Sequence, residues 1–69
     1  MEINVLVREA VVGKKLFRKL KEWLEESGRE YRREYSIGYS CDSLRFKATL
    51  KEVKSLGLWE EDYNIDLFI

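Results

Sequence analysis

Arg29-Glu30-Tyr31-Arg32-Arg33-Glu34-Tyr35-Ser36-Ile37-Gly38-Tyr39-Ser40-Cys41-Asp42-Ser43-Leu44-Arg45-Phe46-Lys47-Ala48-Thr49 is the stretch that decides the fold. Tyr31, Arg33, Tyr35, Ile37 and Tyr39 fall on one face, and Glu30, Arg32, Glu34 and Ser36 on the other. That period of two belongs to a half-buried strand, predicted over residues 29–39. Ser40-Cys41-Asp42-Ser43 is turn-prone. Leu44, Phe46 and Ala48 then alternate with Arg45, Lys47 and Thr49. Two alternating runs around a short polar turn predict an antiparallel hairpin.

On the N-terminal side of this hairpin the period changes. Val12, Leu16, Leu20 and Trp23, flanked by Phe17 and Leu24, recur at helical spacing and form one apolar stripe. Lys14, Lys15 and Arg18 lie opposite, toward solvent. Gly28 after Ser27 stops the helix, because glycine accepts the left-handed conformation that closes a last turn. Glu9-Ala10-Val11 supplies no side-chain cap at its start. The charges run against the helix dipole: Lys14, Lys15, Arg18, Lys19 and Lys21 come first, and Glu22, Glu25 and Glu26 last. Before the helix, Ile3, Val5 and Val7 alternate with Glu2, Asn4 and Arg8 as a further strand, with Leu6 on its polar side.

On the C-terminal side, Thr49-Leu50-Lys51-Glu52 has the spacing of a capping box, in which threonine and glutamate each satisfy a free backbone N–H. Leu50, Val53 and Leu56 support a short helix of barely two turns, ended by Gly57. Tyr63, Ile65, Leu67 and Ile69 alternate with Asp62, Asn64, Asp66 and Phe68 as a last strand over residues 62–69. The order is βαββαβ in one small α+β domain spanning residues 1–69. Both crossovers pass through helices, as a ferredoxin-like split βαβ unit requires. The expected architecture is one four-stranded antiparallel sheet with two helices on one face and water on the other. The usual order 4-1-3-2 puts strands 29–39 and 62–69 at the edges.

Composition narrows the chemistry. The 69 residues carry 13 basic and 13 acidic side chains, one cysteine, no histidine and no proline. Without histidine there is no imidazole base, no Ser–His or Cys–His pair and no ordinary zinc site. Cys41 has Asp42 beside it, which disfavours a reactive thiolate. A lone thiol fits a reducing compartment. No apolar run approaches a membrane span and no leader pattern opens the chain. The expectation is a cytoplasmic, non-enzymatic protein without cofactor, metal or membrane partner. Charge is unevenly spread: residues 8–33 hold nine basic and five acidic side chains, residues 34–69 four and seven. Such polarity favours oriented recognition or self-association over general polyanion binding.

Gly13-Lys14-Lys15 at a helix start could hold a phosphate or carboxylate, yet a P-loop's other glycine and its Lys-Ser/Thr pair are missing. Val12-Gly13 with Phe17-Arg18 resembles the Gly-Val-x-Phe-Arg segment of acylphosphatase, a ferredoxin-like enzyme. The resemblance implies that fold. The Phe-Arg pair lies one residue late, the Gln-Gly pair is absent and no asparagine follows the third strand, so the activity is not carried over. An RNA-recognition sheet needs stacking aromatics on its open face, where this chain offers Glu2, Asn4, Leu6, Arg8, Arg45, Lys47 and Thr49. Asp62-Tyr63-Asn64-Ile65-Asp66 has the spacing of calcium-loop ligands, but Leu67 replaces the required glycine.

These readings lead to a small protein-binding module of the regulator or inhibitor type, acting on another protein or, as a homodimer, on itself. Its expected contacts are Tyr31, Arg33 and Tyr35 on the edge strand, Leu6, Arg8 and Phe68 on the open sheet face, and Trp59 in an acidic loop. The alternative is nucleic-acid or phosphate binding through Lys14, Lys15, Arg18 and Lys19, with Arg45 and Lys47. A designed scaffold without biological function is a third reading. It draws on the missing His, Pro and Gln, against Cys41 and the uncapped first helix.

Overall fold

A computed structural model describes residues 2–66, the side chain of Asp66 excepted. Strand β1 (Glu2–Arg8) leads into a one-turn helix α1 (Glu9–Val12) and the long helix α2 (Lys14–Glu26). Strands β2 (Tyr31–Ser36) and β3 (Cys41–Thr49) follow, joined by a 3-10 turn at Ile37–Tyr39. Helix α3 (Leu50–Ser55), a second 3-10 turn (Glu60–Asp62) and strand β4 (Tyr63–Asp66) complete the described chain. The fold is α+β, with one four-stranded sheet in the order β2-β3-β1-β4 and every neighbouring pair antiparallel. β2 and β4 are the edges, as the order 4-1-3-2 predicted. The predicted residues 67–69 of the last strand lie outside the described residues.

Register sets which side chains meet. Ile3 faces Ala48, Val5 faces Phe46 and Val7 faces Leu44. These side chains share one face with Tyr63 and Ile65 of β4. Against that face pack Phe17, Leu20 and Leu24 of α2, Val53 of α3 and Leu58 beyond it, giving a single core. Trp23 meets Phe46 edge-on, with ring centroids 6.1 Å apart. The apolar stripe of α2 is thus rotated by one residue from the expected one: Phe17, Leu20 and Leu24 form its buried centre, Leu16 and Trp23 are half-buried flanks, and the half-buried Val12 belongs to α1.

Two further departures have local causes. The continuous helix expected from Val12 is broken at Gly13, whose φ of 89° and ψ of 158° suit glycine almost alone. The hairpin turn comes earlier than expected. It occupies Ile37–Ser40, with Ser40 left-handed at φ 50°, so β2 covers 31–36 instead of 29–39 and Cys41 is a buried strand residue. Its thiol accepts from the Ala10 backbone N–H at 3.5 Å.

Both predicted stops and the predicted cap are in place. Gly28 N–H donates to Glu25 O and Arg29 N–H to Leu24 O, closing α2 through a glycine at φ 71°. The Thr49 hydroxyl accepts from Glu52 N–H at 3.1 Å while the Glu52 carboxylate accepts from Thr49 N–H at 2.9 Å. Arg29, to which the sequence reading gave no role, ties these parts together. It stacks on Trp23 at 4.7 Å, donates to Lys47 O at 3.0 Å, bonds Glu52 and lies 3.6 Å from Glu2.

Candidate functional site

Alternation along β2 divides its side chains between two surfaces. Tyr31, Arg33 and Tyr35 pair across with Phe46, Leu44 and Asp42 and so stand on the helix-covered side of the sheet. Arg32 and Glu34 pair with Arg45 and Ser43 on the open side. Among the described residues no further strand lies beyond β2, and its outer backbone groups are not taken up by the described sheet.

The helix-side residues differ in freedom. Tyr31 is half-buried and its hydroxyl donates to Glu25 at 3.0 Å, a bond that holds the phenol's pKa above its ordinary value. Arg33 donates to Asp42 from two nitrogens, at 2.6 and 3.2 Å. That bond, reinforced by the charge of Asp42, raises the guanidinium's pKa further. Tyr35 is 63% exposed, and no bond of its side chain is described. The exposed apolar surface continues into the turn, where Ile37 is 85% exposed. A large aliphatic side chain standing in water at a sheet edge is the kind of surface that protein contacts cover.

Tyr39 departs from the face it was assigned. The 3-10 turn carries it to the open side, where its ring lies 4.3 Å from the guanidinium of Arg8. Arg8 faces Ser43 across the ladder, and Ser43 is almost fully buried, its hydroxyl donating to Glu34 O at 3.0 Å. Arg8 Nε is enclosed without a hydrogen-bond partner. Arg8 is therefore held by Tyr39 and does not stand free on the sheet. Leu6 is half-buried between Arg45 and Asn64 on the same side. Phe68, expected beside it, lies outside the described residues. Trp59 is 74% exposed in the loop that precedes β4, on the side of the sheet away from β2. One continuous aromatic surface through all the expected contacts is not formed. Tyr35 and the turn make one group, and Trp59 makes another.

The basic residues fall into two groups as well. Lys14, Lys15, Arg18 and Lys19 are exposed on α2, outside the helical layer. Arg45 and Lys47 point to the opposite, open side, where a shallow concavity of about 880 Å³ also takes in Glu2, Arg32 and Glu34. Arg45 donates to Glu34 at 2.9 Å, so this concavity carries both signs of charge. Arg32 is exposed beside Arg45, and no ion pair of Arg32 is formed among the described residues. The alternation pointed to Tyr35. It could not show Ile37, because the position of the turn decides that residue's exposure.

No family of known proteins, no characterised protein and no solved structure matches this chain. Among the described residues no helix is long and apolar enough to cross a membrane. No cluster of three His, Cys, Asp or Glu side chains there could hold a metal ion.

Proposed function

We propose that this chain is a small, non-enzymatic protein-binding module that recognises its partner through the β2 edge. The partner's strand adds to β2, and Tyr35 with Ile37 supplies the apolar anchor. The observation that carries this reading is the conjunction of a free edge strand with Tyr35 and Ile37 exposed at its end. We read the frame as ferredoxin-like, with α1 and α2 together serving as the first crossover. Counted from the β4 edge, the order β4-β1-β3-β2 supports this, as does the packing of α2 and α3 against one face.

A regulator or inhibitor suits such a module, since recognition by strand addition needs no catalytic group. Nucleic-acid binding is the weaker reading. The α2 cations and the sheet cations lie on opposite sides of the sheet, and Arg45 shares its surface with Glu2 and Glu34. Capture from a lysate of the source cell with immobilised wild type, Y35A, I37A and a K14E/K15E/R18E variant tests the assignment. A protein retained by wild type and by the charge-reversed variant, resistant to nuclease and lost from Y35A and I37A, is the expected result. Tight oligonucleotide binding that weakens steeply with salt and vanishes in K14E/K15E/R18E would replace this reading with the second one.

A further inference from the structure

We infer that the partner of the β2 edge is a second copy of this chain, paired antiparallel about a two-fold axis through Arg33. The inference rests on the edge-recognition reading and names its occupant. It comes from the sequence of β2 read against itself. An antiparallel pair related by a two-fold axis puts residues of the same sheet face opposite one another, so only registers centred on a residue are available.

Centred on Arg33, Arg32 lies opposite Glu34 of the partner subunit, and Tyr31 lies opposite Tyr35 of the partner subunit. Symmetry makes each contact twice. Centring on Arg32 sets two Arg32 side chains together, and centring on Glu34 sets two Glu34 side chains together. Like charges directly opposite one another destabilise a ladder, whereas opposite charges and aromatic pairs stabilise it. The Arg33-centred register also sets two Arg33 side chains on the axis, each bonded to Asp42 of its own chain just as Glu34 is to Arg45; what selects it is that no other register makes the two Arg32–Glu34 and the two Tyr31–Tyr35 pairs.

The isolated chain leaves this pairing half made. Arg32 faces the like charge of Arg45 across the β2–β3 ladder. The carboxylate nearest in the strand, Glu34, spends one oxygen on Arg45, and no bond of its other oxygen is described. A second copy brings each Arg32 a carboxylate and covers the exposed Tyr35. Strand β4 offers no such match, since Tyr63-Asn64-Ile65-Asp66 contains no cation. The product is a continuous eight-stranded sheet with both helical layers on one side.

Sedimentation equilibrium between about 10 µM and 1 mM spans the range of weak self-association. Wild type is expected to approach twice the 8.3 kDa mass of one chain. R32E and E34R each place like charges opposite one another at both ends of the ladder and are expected to weaken dimerisation by about tenfold or more. An equimolar mixture of R32E and E34R restores both charge pairs, so it is expected to dimerise again. That rescue also shows that neither variant was merely unfolded. A wild type that stays monomeric to about 1 mM overturns the inference. So does a dimer indifferent to both reversals, or a mass that climbs past two chains. If self-association fails while capture of a different protein is still lost in Y35A, edge recognition stands and only the second copy is excluded.

Discussion

Arg29 and Glu52 show how much of this small fold hangs on a few side chains. Arg29 gathers Trp23 of α2, Lys47 O of β3, Glu52 of α3 and Glu2 of β1 around one guanidinium. Glu52 serves both this cluster and the α3 cap. The backbone N–H of Thr49 is the main reason its carboxyl titrates below the ordinary 4.5, with the Thr49 hydroxyl and the Arg29 charge adding to the effect. A carboxyl depressed in the folded state contributes stability that is fully present above the unfolded pKa and is lost as pH falls through the folded one. The midpoint of urea unfolding is therefore expected to drop between about pH 5 and pH 3. E52Q should be less stable at neutral pH and show a shallower drop over that window. An equal acid slope in wild type and E52Q would remove Glu52 from this role. The Thr49–Glu52 half of the cluster was legible, because a capping box is a local spacing. The Arg29 half was not. Its partners lie far apart in sequence, and nothing in the alternation around residue 29 distinguishes a cluster centre from one more solvated arginine.

Elements were readable where periodicity is local and misread where a single backbone conformation intervenes. β1, the alternation of 44–49, the stop at Gly28 and the cap at Thr49 stand as expected, since each is written in a few neighbouring residues. The α2 boundary and the hairpin turn do not. The stripe from Val12 predicts one continuous helix, whereas Gly13 separates two helices with a dihedral pair that side chains avoid. Ser40 takes the left-handed conformation that ends the turn, a placement that the more obvious Ser-Cys-Asp-Ser run concealed. The Gly13 geometry makes a definite expectation. A Cβ there meets no neighbouring atom, so any loss in G13A is backbone strain, expected at about 1–3 kcal/mol by denaturant titration. Gly38 has neither a positive φ nor a crowded Cβ site, and G38A is expected to be near neutral. Equal effects at the two glycines would show that the α1–α2 break carries no conformational demand.

At the scale of the molecule, both edges of the sheet lie where the order 4-1-3-2 puts them, an order that the element sequence favours without dictating. The site was legible only in part. Tyr31, Arg33 and Tyr35 share the expected face, yet two of the three are tied down by Glu25 and Asp42, and Ile37 provides the exposed apolar surface instead. Arg32, left out of the expected contacts, forms no ion pair among the described residues and stands on the β2 edge opposite Arg45. The central claim is that recognition runs along β2. Amide hydrogen exchange, followed residue by residue in the free protein and in the saturated complex or concentrated dimer, tests it most directly. Slowed exchange confined to the outward-facing amides of residues 31–36 and to the 37–39 turn is the expected result. Unchanged exchange along β2, with new protection on β4 or at Lys14, Lys15 and Arg18, would contradict it.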